Sequence, residues 1–362
     1  MSVSRRELLT ASALLLAGPG LALRAAARQA PGKGPAVMCW NENPYGPSPA
    51  AREAVSRSIS AGCRYPSDDE IAALVAALAD HEGVPPDHIV TGTGSGELLR
   101  ALGLLCAGGE LVSAQPTYGE LPEYAQGRGA RLAPVPVDGD LRHDLAAMRA
   151  AVNERTRAVY LCNPNNPTGT ALSAEAIGSF IASLPETVLT IVDEAYMDFT
   201  TASGVQSVAP LVGGARDVVV LRTFSKIHGM AGLRCGYAIA RPALAKTLAG
   251  ACMTTPNIFA VRAARASLAD PAFRADCRRR ILASRTRITT ELTRLHLRYA
   301  EPQGNFVFFD TGMPLKQFQA LMLERNILVG RLFPPYESWC RITVGTEPEV
   351  SAFLAALRTV HA

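Results

Sequence analysis

The chain has 362 residues, 48% of them hydrophobic and 19% charged, enough apolar material for a large core or two. Its formal net charge of +4 sits mostly at the start: residues 1–30 hold four Arg and one Glu, so the remainder carries about +1, and no basic patch points to nucleic acid. The eight cysteines, at 39, 63, 106, 162, 235, 252, 277 and 340, form no C-x-x-C pair and no metal-ligand spacing; several lie in apolar contexts and read as buried thiols, with no metal site expected.

In chain order, the first signal is Ser4-Arg5-Arg6-Glu7-Leu8-Leu9, followed by an apolar stretch from Ala11 to Leu23 with Arg24 and Arg28 beyond it. This resembles a twin-arginine export signal over residues 1–30. The apolar run is short and broken by Gly18-Pro19-Gly20, so no stable membrane span is expected. Small residues at Ala25-Ala26-Ala27 and Ala30 offer cleavage sites. The resemblance implies passage through the twin-arginine export machinery to the periplasm. That route carries folded proteins, so a cofactor could be inserted before translocation. An untargeted tail with two adjacent arginines, and a cytoplasmic protein, is the alternative.

Residues 31–60 read as an N-terminal arm. Apolar strands then recur near 89–91, 111–114, 157–161, 188–192, 217–222 and 236–240, separated by helix-like stretches such as Ile71 to His81 and Ser173 to Leu184. That alternation predicts an α/β fold: a large domain over 61–245 with a mostly parallel sheet covered by helices on both faces. From about Ala243 an arginine-rich amphipathic helical run extends through Leu297. Strand candidates follow at Phe306-Val307-Phe308-Phe309 and Arg341-Ile342-Thr343-Val344, then a final helix from Glu347. Residues 246–362 are expected as a smaller α+β domain.

Placed on these elements are residues that suit one cofactor. Lys226, in Thr223-Phe224-Ser225-Lys226, offers an amine for a Schiff base. Asp193 ends the apolar strand Val188 to Val192, where ligands bind in open α/β sheets. A buried carboxylate there keeps a pyridine nitrogen protonated. Tyr196 and Asn166 can hydrogen-bond a ring oxygen. Thr223, Ser225 and Arg234 suit a phosphate dianion. The turn Thr91-Gly92-Thr93-Gly94-Ser95-Gly96-Glu97, between a strand and a helix, presents backbone N–H groups to an anion through Gly94, Ser95 and Gly96. Alone that turn would be an ordinary strand–helix connection. Beside Lys226 the set is the one needed to hold pyridoxal 5'-phosphate and use it as an electron sink.

With these motifs the chain, from about Cys39 onward, resembles a fold-type I, class I/II pyridoxal-phosphate aminotransferase, nearest the histidinol-phosphate aminotransferase branch. The opening Asn41-Glu42-Asn43-Pro44-Tyr45-Gly46-Pro47-Ser48 is similar to that branch's N-terminal signature. The resemblance implies that Tyr65, in Arg64-Tyr65-Pro66, reaches the cofactor phosphate of a neighbouring subunit, hence a homodimer. It implies that Tyr118 stacks on the pyridine ring. It places Tyr45, Asn305, Arg331 and Arg341 at the substrate, with Arg341 gripping a carboxylate or phosphate. Arg331 is read two ways, as a shifted phosphate-binding arginine or as a solvent-facing one. His228, two residues past Lys226, reads as a packing residue.

Pro302-Gln303-Gly304 and the stretch around Arg331 depart from the branch pattern, and both departures are expected where the substrate is read. The implied reaction moves an amino group from an amino acid or amine to a 2-oxo acid by a ping-pong mechanism, with Lys226, Asp193 and Tyr196 as the catalytic group. Decarboxylation or amino-acid oxidation on the same cofactor set are the alternatives. A regulatory module would need an attached DNA-binding domain, and residues 1–40 are too short for one.

Overall fold

The computed structural model describes residues 34–362. The twin-arginine motif and the apolar stretch behind it lie outside the described residues. The strands are β1 (Ala36–Val37), β2 (Ile89–Gly92), β3 (Glu110–Gln115), β4 (Arg131–Pro136), β5 (Thr156–Cys162), β6 (Leu189–Asp193), β7 (Val218–Thr223), β8 (Gly236–Ile239), β9 (Phe306–Asp310), β10 (Ile327–Leu328) and β11 (Trp339–Thr343). Seven of them form one sheet in the order β2-β8-β7-β6-β5-β3-β4. All its pairings are parallel except those of β8, which runs antiparallel to both β2 and β7.

Both faces of this sheet are buried, which is why its central strands are almost continuously apolar. Side chains alternate along a strand. Ile191 of β6 and Val219 and Leu221 of β7 pack with Leu98, Leu102, Leu121 and Leu248 on one face. Val192, Val218 and Val220 pack with Leu74, Leu78, Ile177 and Phe180 on the other. The helix Asp68–Glu82 begins three residues before the expected Ile71, because Ser67 and Glu70 form a reciprocal capping box. It ends at Gly83, whose φ of 68° suits a residue without Cβ.

Three features were not foreseen. Strand β4 contains Pro134 and Pro136, which remove ladder donors; it is tolerated because it is an edge strand. The helical run from Ala243 is three helices, Pro242–Ala251, Ile258–Leu268 and Pro271–Arg294. The middle one does not follow the expected boundary at 245/246. Its Ala260, Val261, Ala263 and Ala264 complete the core that holds Leu74 and Leu78.

A separate core joins β9 and β11, which pair antiparallel, to the helices Pro271–Arg294 and Glu347–Val360. The arm belongs partly to this second core: β1 pairs with β10, and Met38 is buried in it. Residues 49–58 of the expected arm are helical and lie against Ile258–Leu268. Among the described residues no helix is long and apolar enough to cross a membrane.

Candidate active site

The carboxyl ends of β2, β3, β5, β6 and β7 open onto one cleft of about 890 Å³ between the two cores. Ser95, Gly96, Tyr118, Asn166, Asp193, Tyr196, Thr223, Ser225, Lys226, Arg234, Arg331 and Arg341 all line it. Period-2 alternation explains part of this convergence. Asp193 follows Ile191 by two residues and Thr223 follows Leu221 by two, so both face the same side of the sheet.

Lys226 is partly exposed at the cleft, with Nζ 3.4 Å from the Trp40 carbonyl and 5.4 Å from the centroid of the Tyr196 ring. Burial, followed by the Arg341 charge, lowers its pKa from 10.5 to about 8; Glu42 and Asp193 oppose that shift. Asp193 is buried. Its Oδ1 accepts from the Ala195 N–H at 3.1 Å, and its Oδ2 from the Tyr160 hydroxyl at 3.3 Å. Burial raises its pKa from 3.8 to about 6, so a cation beside it would be needed to hold it fully ionised. Tyr196 is buried too, and its oxygen accepts from Asn166 Nδ2 at 3.2 Å and Asn41 Nδ2 at 3.1 Å.

An anion cradle lies to one side. Gly94 has φ +87°, and a Cβ there would stand 2.3 Å from Arg234 Nη2. The guanidinium therefore lies directly over the turn. The helix Ser95–Leu105 begins at Gly94 with no side-chain cap, which leaves first-turn N–H groups for an anion. Gly236 lets the turn come close, since a Cβ there would meet Ser95 N at 2.3 Å. Thr223 Oγ1 donates to Ser225 Oγ at 3.0 Å, and Arg234 Nη1 donates to the Ala231 carbonyl at 2.9 Å.

A second cationic anchor lies to the other side. Arg341 is buried; Nη1 donates to Asn166 Oδ1 at 2.5 Å and Nη2 to the Cys39 carbonyl at 2.7 Å. Its Nε is buried without a partner. Its guanidinium lies 5.0 Å from the Phe333 ring, and Arg331 lies 4.5 Å from the same ring. Arg331 thus borders the cleft while remaining exposed.

Three residues expected at the cleft do not line it. Tyr45 is half-buried, with Arg280 4.7 Å over its ring, so it packs on the helix Pro271–Arg294. Asn305 is fully buried; Nδ2 donates to the carbonyls of Asn41 and Glu42 at 3.1 and 3.2 Å, so it anchors the arm. Gly94 backs the cradle beneath Arg234. Tyr65, expected at a neighbouring subunit's cofactor, is 93% exposed. The departure at Gln303 is also not at the cleft. Its Oε1 accepts from the N–H groups of Thr201 and Ala202, pinning the loop after Tyr196. His228 packs on Phe224 at 4.4 Å and bonds Ser267 at 2.7 Å, as expected of a packing residue.

The sequence assigned no individual role to Trp40, Asn41, Tyr160 or Phe333. Tyr160 had a usable signal, since it stands two residues before Cys162 on the same strand face. Beneath the sheet, Arg222 pairs with Glu194 at 3.1 Å and with Glu82 at 3.7 Å, and Tyr237 donates to Glu82. This buried network fixes the residues next to Asp193 and Thr223. Among the described residues no group of three or more His, Cys, Asp or Glu could hold a metal ion.

Residues 35–357 match the family described as aminotransferase class I and II. The chain is 36% identical to a histidinol-phosphate aminotransferase of Moorella thermoacetica, over 95% of this chain and 90% of that relative. It is 37% identical to an aromatic amino acid aminotransferase of Rhodococcus jostii, over 92% and 93%. The crystal structure of a histidinol-phosphate aminotransferase from Sinorhizobium meliloti in complex with pyridoxal-5'-phosphate superposes with a TM-score of 0.85 at 30% identity, covering 100% of this chain and 99% of the other.

Proposed function

The chain belongs to the class I and II aminotransferases and resembles their histidinol-phosphate branch, and we propose that it moves an amino group from an amino acid or amine to a 2-oxo acid in a ping-pong cycle. Pyridoxal 5'-phosphate is the cofactor of this family, and the cleft fits it. The capless helix start under Arg234 is shaped for a phosphate. The raised pKa of Asp193 calls for a neighbouring cation such as a pyridinium. Lys226 supplies the amine between them.

The observation that carries the reading is the pair of separate cationic anchors flanking one amine of depressed pKa. Arg234 serves the cofactor's phosphate. Arg341, with its unpartnered Nε, serves the substrate's carboxylate. When bound, the cofactor supplies an electron sink for the bonds of the substrate's α-carbon. Lys226 Nζ would anchor it covalently and, once free, would hold and move the substrate's α-proton. A pKa near 8 suits an amine that must both accept and release a proton. Asp193 would hold the ring nitrogen's proton, and Tyr118 would flank the ring. Asn166 links Arg341 to Tyr196, so substrate binding and the ring-oxygen contact share one amide.

The active unit in this reading is a homodimer in which Tyr65 acts across the boundary. The 93% exposure of Tyr65, with Met253 at 91% and Ile59 at 65%, supports a covered surface. Mixing inactive Tyr65→Phe and Lys226→Ala subunits should restore partial activity; a fully active monomer would sink the idea.

Export by the twin-arginine route rests on Arg5 and Arg6 and is tested by cell fractionation. An exported enzyme would not meet histidinol phosphate, a charged internal metabolite, so a free amino acid or exported amine is the proposed donor. The second reading, a biosynthetic enzyme acting on histidinol phosphate, is favoured by Arg331 and Arg341 on the same ring of Phe333. A half-reaction screen decides between them. Amino acids and histidinol phosphate are added separately, and loss of the cofactor's visible band is followed. Fast conversion by free amino acids supports the first reading. Conversion by histidinol phosphate alone, with cytoplasmic protein, contradicts it.

A further inference from the structure

Tyr196 is held by amides whose orientation is fixed. Arg341 Nη1 donates to Asn166 Oδ1. A guanidinium has no acceptor, so that carbonyl must face Arg341 and the NH2 must face Tyr196, as its 3.2 Å bond shows. The second amide comes from the arm. Asn41 Nδ2 donates to the same phenolic oxygen at 3.1 Å. Thr343 sets its orientation: Thr343 Oγ1 accepts from Asn41 N at 2.8 Å and donates to Asn41 Oδ1 at 3.2 Å. Asn305 holds the Asn41 carbonyl at 3.1 Å. Asn41 itself sits at φ 56°, a left-handed conformation that asparagine tolerates better than most residues.

A phenolic oxygen has one proton and two lone pairs. Two N–H donors occupy the lone pairs, so the proton must leave in a third direction. Phe306 closes one side of the ring edge-on at 5.0 Å. Arg341, Cys162 and Tyr118 are the titratable groups acting on Tyr196, with Lys226 over its ring. The open direction is the cleft.

We infer that Asn41 is a positioning residue for transamination: together with Asn166 it fills the acceptor sites of Tyr196 and so aims the Tyr196 proton at the ring oxygen of the bound cofactor. This rests on the reading that Tyr196 contacts that oxygen. It also gives the arm a task, because Asn41 ties β11 and the residue before β9 to the ring-oxygen contact.

The test titrates the visible absorbance of the bound cofactor against pH in the holoenzyme. A donor to an anionic ring oxygen lowers the pH midpoint of that band. Tyr196→Phe should raise the midpoint by about one unit or more. Asn41→Asp replaces the donor with an acceptor that draws the Tyr196 proton away, so it should raise the midpoint as well. Its added charge acts with or without the phenol, whereas its effect through Tyr196 does not. The rise should therefore shrink in the Tyr196→Phe background. Thr343→Val, which frees the Asn41 amide, should give a smaller rise with the same dependence on Tyr196, and it decides the matter if Asn41→Asp does not fold. If Tyr196→Phe leaves the midpoint unmoved, the role of Tyr196 itself is wrong. If Tyr196→Phe moves it while Asn41→Asp shifts both backgrounds equally, or neither, Asn41 does not position the proton and the inference alone is overturned.

Discussion

Replacing Lys226 with methionine should stabilise the cofactor-free protein, because the same environment that prepares the amine also destabilises the fold. The folded-state pKa falls from 10.5 to about 8, which at 1.36 kcal/mol per pH unit is at most about 3 kcal/mol. The side chain is partly exposed, and solvent screens part of that, so about half is expected in practice, ~1.5 kcal/mol. Methionine is unbranched and flexible enough to occupy the same channel. The sign follows from the depressed pKa. Below about pH 8 both states carry the ammonium and the folded protein bears the full penalty. Between about 8 and 10.5 the folded state sheds its proton first, so wild-type stability rises with pH. Urea unfolding of cofactor-free wild type and Lys226→Met at pH 7 and pH 10 measures this. The variant should have the higher midpoint at pH 7, with a narrower gap at pH 10. Equal midpoints at pH 7, or a gap that does not change with pH, would refute the reasoning.

Gly94→Ala should weaken cofactor binding by about tenfold or more, since a Cβ at φ +87° collides with Arg234; a fluorescence titration giving an unchanged Kd would contradict it. Asp193→Asn should retain cofactor while turnover falls by about a hundredfold or more, because the ring nitrogen loses its carboxylate; steady-state kinetics with full occupancy checks this. Arg341→Ala should raise KM for 2-oxo acids and lower kcat/KM by roughly ten- to a hundredfold, the worth of a charged hydrogen bond. An unchanged KM across several acceptors would place the carboxylate elsewhere.

The large sheet was legible because its strands are buried on both faces and flanked by turn residues. Strand β4 was not, since Pro134 and Pro136 argue against any strand except one at an edge. The cleft-lining residues were legible because each closes a strand or opens the turn after it, as Asp193, Thr223 and Ser95 do. Residues whose role depends on distant partners were not. Asn41 meets Tyr196 across 155 positions and Thr343 across 302. Asn305 and Gln303 stand in the sequence beside a cleft-forming segment, yet their amides face backbone, holding the arm and the loop after Tyr196. Tyr45 was read as a substrate contact, whereas Arg280 of the helix Pro271–Arg294 captures its ring. Sequence spacing reports which residues share an element; it does not report which of two faces a loop side chain chooses.

The central claim is that Lys226 is the amine that anchors pyridoxal 5'-phosphate. Borohydride reduction of the holoenzyme, followed by proteolysis and peptide mass spectrometry, tests it most directly. A single stable cofactor adduct on the peptide containing Lys226 is expected, absent after Lys226→Ala. An adduct on another lysine, or one that persists in Lys226→Ala, would contradict it.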